Sequence, residues 1–331
     1  MSALQALFLL PAALILDLLF SEPPARVHPV CGMGYLASRA EPFFRRLLSC
    51  PFPPDTEGGS PLREGLAGLL AGLAVILPPA VIAWSLTALA GYSGTAGGFA
   101  MAAVSVWLCL APVSLARHAL RVRDAAEAGK TGEARKAVSM IVGRDTNRLD
   151  EKGVARAAVE TVAENTSDGV IAPLLFLAIG GAPLGFFYKA VNTMDSMLGY
   201  TEPPYKNIGL VPAKMDDFFN FLPARLSAFF LLAAGFFLRL DVKNGWRIFR
   251  RDRYKHASPN SAQTESVCAG LLGLRLAGDA WYHGVLHKKE FIGDAVREIE
   301  YADIPHTCRL MELAAVLALI VCCAIKACFI F

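Results

Sequence analysis

The feature that most constrains this chain is a succession of apolar blocks separated by charged segments. They cover residues 3–20, 66–90, 96–116, 170–187, 224–238 and 310–331. A helix needs about 20 apolar residues to cross a hydrocarbon core roughly 30 Å thick, and the first, second, third and last blocks suit that length. Pro78-Pro79 predicts a kink in the second. The block at 170–187 is interrupted by Gly180-Gly181-Ala182-Pro183, so it reads as two half-helices or a re-entrant turn. The block at 224–238 is short for a full crossing. Composition points the same way. Charged residues make up 18% of the chain, against about 25% in soluble domains, and mean hydropathy is +0.43. The expected class is an all-α, polytopic integral membrane protein with amphipathic cytoplasmic helices. It is read as a single domain over 1–331, with about four to six membrane segments and helical insertions at 117–169 and 241–309.

Basic residues cluster at 21–65, 117–169 and 241–309, whereas 91–95 carries none. The positive-inside rule places the three basic segments in the cytoplasm and the 91–95 link outside. Residues 188–223 lie outside if both flanking blocks cross. They stay on the cytoplasmic side if both blocks are re-entrant or interfacial, which their weakness and the polar residues between them favour. The N-terminal block lacks a basic leader and a clear cleavage site, so it reads as a retained anchor. Residues 50–61, rich in proline and glycine, read as a loop. The net charge of +3 and the absence of a basic stretch interleaved with aromatics argue against nucleic acid. The eight cysteines show no metal or disulfide spacing and read as buried free thiols.

Between the blocks the pattern is helical, and no stretch alternates like a strand. Two helices are expected to meet at Gly129–Gly132. Gly129-Lys130-Thr131 lacks the upstream glycine and strand of a phosphate loop, so a helix–helix turn is the better reading. Asp150 is placed to cap a helix that follows it.

The densest polar stretch is 143–168, which gathers acids, bases and asparagines against the start of an apolar run. Polar groups beside membrane-like sequence are costly unless paired or used. Glu160, Glu164 and Asp168 recur every four residues and share a helical face. They suit either a solvated face or a Mg²⁺ site with open positions for phosphates. Arg144, Arg148 and Lys152 lie upstream. Asn192 and Asp195 follow the broken block in an apolar setting, which marks a site by default. Lys206, Lys214, Asp216, Asp217 and Arg225 form a second polar group, with an interfacial anchor loop as the plain alternative. Ser258-Pro259-Asn260-Ser261 with Glu265 has the form of a turn and helix start, suited to an anion or simply a cap. His283 and His287 share a face if that region is helical, but no third ligand is near.

Taken together these motifs resemble the CobD/CbiB family, the integral-membrane adenosylcobinamide-phosphate synthases of cobalamin biosynthesis. The resemblance is carried by LDLLFSEPPARVHPVCGMG, by SMIVGRDTNRLDEKGVARAAVETVAENTSDGVIAPL, by YKAVNTMDSMLGY with YKNIGLVPAKMDD and NFLPARLSA, and by SPNSAQTESVCAGLLGLRLAG with the later FIGD. The order is kept over nearly the whole chain. Leu276-Ala277-Gly278 departs from the double glycine expected there.

The resemblance implies ATP-dependent amide formation between adenosylcobyric acid and (R)-1-aminopropan-2-ol O-phosphate or a related amino alcohol. The enzyme would be a carbon–nitrogen ligase at the inner membrane with a cytoplasmic site. ATP and Mg²⁺ are the implied cofactors. Lipid and the later, membrane-bound cobalamin synthase are the implied partners. On that reading Glu164, Asp168 and Asp195 hold the metal. Asp216, Asp217 and Glu160 take catalytic roles. Arg144, Asp145, Arg148, Asn165, Ser167, Asn192, Lys206, Lys214, Arg225, Ser258, Asn260 and Glu265 bind substrates and phosphates. The competing readings are a non-enzymatic sensor of the AmpE-like kind and a corrinoid carrier. The first predicts eroded polar motifs, and the second would be supported by two related halves, which the sequence lacks.

Overall fold

The computed structural model describes residues 2–50, 60–93, 96–200, 204–282 and 284–330. Most of the 50–61 linker therefore lies outside the described residues, as does His283. The helices run α1 (Ala3–Phe20), α2 (Pro29–Leu47), α3 (Pro61–Ser93), α4 (Ala96–Trp107), α5 (Pro112–Glu127), α6 (Thr131–Ser139) and α7 (Glu151–Asn165). A π-helical turn at Thr166–Ile171 leads into α8 (Ala172–Leu198). Then come α9 (Leu210–Phe237), α10 (Val242–Asp252), α11 (Ser261–Leu272) and α12 (Asp303–Ile330). The chain is a polytopic helical membrane protein. Among the described residues, five helical stretches are long and apolar enough to cross a bilayer: Pro61–Tyr92, Ala96–Glu127, Glu151–Leu198, Leu210–Phe237 and Asp303–Cys328. Leu4–Phe20 is a shorter apolar helix.

Two expectations change. The block read as 224–238 and short is the second half of α9, which begins at Leu210 and runs 28 residues. A hydropathy reading stops at Lys214, Asp216 and Asp217, but a helix carries such residues when they find partners. The region after α11 is not helical. Short antiparallel pairs form, β1 (Leu276–Ala277) with β4 (Phe291–Ile292) and β2 (Ala280–Tyr282) with β3 (Val285–His287). These strands are two or three residues long, too short to show alternation. His287 sits in β3 against the Tyr282 ring, so the shared helical face imagined for the histidine pair does not exist.

Other readings hold. Asp150 accepts a hydrogen bond from Gly153 N at 2.7 Å and caps α7. Gly129, at φ +72, turns the chain between α5 and α6. α8 is broken where expected, with non-helical backbone at Gly180 and Gly181. The eight thiols are free, with Cys109, Cys268, Cys308 and Cys322 buried and Cys31 and Cys328 exposed.

The chain divides into two compact units. The first comprises Met1–Leu110, Pro173–Phe219 and Cys322–Phe331. Here α2 packs on α3, and α4 packs on α1 and α3. Small residues allow close approach, as membrane helices favour: a Cβ on Gly68 would lie 1.9 Å from the Ile208 carbonyl oxygen. The second unit comprises Ala111–Ala172 and Asn220–Val321. α7 packs on α5, α6 and α11, and α11 packs on α10. Every residue of α11 is buried. It reaches α10 through a glycine contact, since a Cβ on Gly270 would meet Gly245 Cα at 2.7 Å. Asn244 Nδ2 closes the same seam on the Gly270 carbonyl at 2.7 Å.

Candidate functional site

The polar residues singled out in the sequence fall into two groups, one in each unit. The larger is in the second unit, where α7 and α11 face each other and carry acids at the contact. Glu160 is buried and has both oxygens engaged. Its Oε2 pairs with Arg144, and its Oε1 accepts from the backbone N–H of Ala277 at 2.6 Å. Glu164, one turn on, accepts from Ser261 Oγ at 2.7 Å and is only half-buried. Glu265 is buried in the middle of α11, and its Oε2 has no hydrogen-bond partner. Burial pushes the Glu265 carboxyl well above the usual carboxylate range, and Glu164 and Glu160 push it further. Lys289 and Arg144 pull the other way and do not prevail. The side chain is therefore a neutral acid at pH 7, a proton carrier in a dry setting. Arg144 shows the opposite balance: burial works against its charge, and Glu160 outweighs that and holds the guanidinium above its ordinary value.

His256 completes this group and was not singled out in the sequence. Its only signal there was its place just before Ser258-Pro259-Asn260. Its Nδ1 accepts from Ser258 N at 3.1 Å, which leaves Nε2 as the protonated nitrogen of a neutral ring. Burial lowers its pKa, against the pull of Glu164 and Glu160. Lys289 was likewise missed. It donates to Tyr282 Oη at 2.8 Å and contributes positive charge toward Glu265 and His256. It was hidden because the hairpin that presents it left no trace in the sequence pattern.

The backbone around the acids is held by the second hairpin. Asp145 N donates to the Trp281 carbonyl and Gly284 N donates to Asp145 Oδ2, both at 2.8 Å. Arg148 lies over the Trp281 ring, 4.3 Å from its centroid. Asp145 and Arg148 thus dock the 143–149 loop on the hairpin. Ser258 Oγ accepts from Asn260 N at 3.3 Å, and Asn260 Oδ1 accepts from Arg225 Nη1 at 3.0 Å. The Ser-Pro-Asn-Ser turn is therefore a built loop that starts α11. Asn165 bonds back to the Thr161 carbonyl. Ser167 is buried in the π-helical turn with an unpartnered Oγ, and Asp168 is half-buried beside it. Inserted π turns are frequent at functional sites.

The second group belongs to the first unit. Asn192 Nδ2 donates to Asp216 Oδ1 at 3.2 Å, linking α8 to α9. Lys214 Nζ donates to Asp217 Oδ2 at 3.0 Å along α9. Asp216 is buried, Asp195 half-buried, and Lys206 and Lys214 exposed. Asp195 closes its own helix end, since its carbonyl accepts from Gly199 N at 2.7 Å.

The acids proposed for metal are thus divided between units, Glu164 and Asp168 in the second and Asp195 in the first. Among the described residues no group of three or more His, Cys, Asp or Glu side chains is arranged to hold a metal ion. Mg²⁺ bound with a nucleotide needs only one or two carboxylates beside the phosphates, and half-buried Glu164 with an open oxygen fits that lesser demand.

Comparison with known proteins agrees with the sequence pattern. The family model described as CobD/Cbib protein matches residues 10–311. The chain is 40% identical to a protein of Clostridium perfringens named cobalamin biosynthesis protein CobD, over 94% of this chain and 95% of that one. It is 44% identical to a Klebsiella pneumoniae protein of the same name, over 93% of each. It is also 44% identical to cobalamin biosynthesis protein CbiB of Salmonella choleraesuis, again over 93% of each. No solved structure matches.

Proposed function

We propose, on the premise that this chain belongs to the CobD/CbiB family of cobalamin biosynthesis proteins, that it is the adenosylcobinamide-phosphate synthase. It would join the free propionate of adenosylcobyric acid to (R)-1-aminopropan-2-ol O-phosphate, or a related amino alcohol, at the expense of ATP. A carboxylate is a poor electrophile, so it must first be phosphorylated. The amine then displaces phosphate from the acyl carbon, and the ammonium must shed a proton before it can attack. Mg²⁺, when bound, neutralises the triphosphate. The enzyme acts at the inner membrane, with its site in the cytoplasm beside the basic segments 117–169 and 241–309, and a complex with cobalamin synthase is part of this reading.

The observation that carries the proposal is the α7–α11 cluster of the second unit. A charged pair, Arg144–Glu160, is already desolvated beside a carboxyl that has been stripped of partners. Polar groups fixed before the substrate arrives cost no reorganisation during reaction. In this scheme Glu164, with Asp168 and Asp195, offers oxygens to the metal. Arg144, Arg148 and Lys214 take phosphates. Asp145, Asn165, Ser167, Asn192, Lys206, Arg225, Ser258 and Asn260 shape the substrate sites. Glu160, with both oxygens used, serves to hold Arg144 in place. The proton acceptor is then Asp216, Asp217 or Glu265.

The test is a single reaction in detergent with adenosylcobyric acid, the amine phosphate, ATP and Mg²⁺, followed by mass spectrometry. A corrinoid heavier by the amine less water, formed only with ATP, is the expected product. An unchanged corrinoid from folded protein, with other amino alcohols also inert, would turn the assignment toward a sensor or carrier.

A further inference from the structure

We infer that Glu265 is the residue that receives the amine: its buried carboxyl, flanked by Glu160 and Glu164, pairs with a primary alkylammonium and takes the proton that must leave nitrogen before attack. This rests on the synthase reading and decides which carboxylate is the base.

The argument is one of unspent acceptors. Five charged or titratable groups face Glu265: Glu164 and Glu160, Lys289 and Arg144, and the neutral ring of His256, which feels the same acids. Arg144 is already paired to Glu160, whose two oxygens are both occupied. Lys289 has Tyr282 Oη as a partner. One oxygen of Glu164 is held by Ser261, whereas Glu265 Oε2 has nothing. A buried polar atom without a partner costs roughly 1–3 kcal/mol and calls for an explanation. The remaining acceptors, on Glu265 and the half-buried Glu164, suit one small cation with several N–H donors.

A metal ion fits less well. No metal-holding group of acids or histidines is arranged here among the described residues, and Glu160 has no free oxygen to contribute. A primary ammonium offers three donors and makes no demand for octahedral ligands. The half-buried Glu164 and His256 mark the side from which it reaches Glu265.

The steps balance. In the empty site the crowded acids keep the Glu265 carboxyl protonated. An arriving ammonium displaces that proton to solvent and pairs with the carboxylate. Glu265 then accepts one nitrogen proton, the freed lone pair attacks the acyl carbon, and the carbon–oxygen bond to phosphate breaks with its electron pair leaving on oxygen. The remaining surplus proton on nitrogen departs with the phosphate.

Two measurements on the full chain in detergent test this. Calorimetry of (R)-1-aminopropan-2-ol O-phosphate binding, in buffers of different ionisation enthalpy, should show net proton release. Glu265→Gln, which copies the neutral acid, should fold normally and abolish that release. In turnover the variant must draw free amine from solution. Its rate should fall about 10²–10⁴-fold near neutral pH and then climb about tenfold per pH unit, a slope absent from the parent. Equal proton release and parallel pH profiles in parent and variant would overturn the inference. So would equal release on titration with Mg²⁺ alone, which would assign the pair to metal. Should the variant fail to fold, absence of proton release in the parent decides against the proposal. If the parent makes no product with any amino alcohol, the synthase reading falls and takes this inference with it. If product forms normally in Glu265→Gln, only the inference falls.

Discussion

The two polar groups use the same residue types and differ in how those residues are held. In the second unit Arg144 and Glu160 are 13% and 10% exposed, and the pair is braced by the Ala277 N–H. In the first unit Lys214 and Asp217 are 70% and 21% exposed and lie three residues apart on one helix. A desolvated pair is costly to break from one side, because a buried charge is left alone. An exposed pair contributes little, since water replaces the lost partner. The lesson is that the first cluster is built into the fold and the second is laid on a finished helix. Mutation should therefore damage folding in one and chemistry alone in the other.

The largest effect expected is on turnover. Asp216→Asn should lower kcat about 10²–10⁴-fold if Asp216 handles a proton or a metal-bound phosphate. Thermal unfolding in detergent should move little, because the amide still bonds Asn192. Raising the pH should not restore this variant, in contrast to Glu265→Gln. Recovery at high pH would give Asp216 the role of base. Next comes Arg144→Ala, which should cost roughly 3–5 kcal/mol by stranding Glu160. The double variant Arg144→Ala/Glu160→Gln should recover much of that loss. Lys214→Ala, its counterpart in the first unit, should change stability by less than about 1 kcal/mol. Equal costs for the two single variants, measured by urea or thermal unfolding, would erase the distinction drawn here.

Acidity separates two buried carboxyls within the second unit. Glu265 is raised above its unfolded value by burial and by Glu164 and Glu160. Its share of stability is complete below the unfolded pKa and is lost as pH rises through the folded one. Asp252 is also buried, which alone would raise it. Arg251, the Gly293 N–H and Lys255 overcome this and hold it at about 2. Its contribution is present above the unfolded value of 3.8 and is lost as pH falls toward about 2. Melting curves across pH should therefore fall at both ends, with Glu265→Gln flattening the alkaline limb only. An alkaline limb unchanged in that variant would place the titration elsewhere.

Much of this was legible in the residues, for reasons that differ by element. α7 announced itself through Asp150 and the four-residue spacing of its acids, both consequences of helical geometry. The break in α8 was written in Gly180-Gly181, where Gly181 takes φ +63. The span of α9 was not legible, because Lys214, Asp216 and Asp217 interrupt its hydropathy while Lys214–Asp217 and Asn192–Asp216 satisfy them in three dimensions. The hairpins after α11 were missed because strands of two or three residues carry no period. With them went Lys289 and the Trp281 shelf under Arg148. Glu164 and Glu265 were chosen separately, and no local pattern tells that α11 brings them together.

The smallest prediction concerns the joint where hairpin and cluster meet. Ala277 takes φ +58, the left-handed region, while its N–H braces Glu160. An alanine there costs about 1 kcal/mol relative to an unstrained backbone. Glycine is free of that strain but gains freedom in the unfolded chain. Ala277→Gly should therefore stabilise the protein by up to about 1 kcal/mol. Its N–H is kept, so turnover should be unchanged. A gain in stability with unaltered kcat would show that the strain is incidental to the site. A gain in stability with a loss of rate would mean that the alanine side chain, by stiffening this bend, helps hold Glu160 and through it Arg144. The rigid cluster would then owe part of its order to a strained residue, which the loosely held group in the first unit has no equivalent of among its described residues.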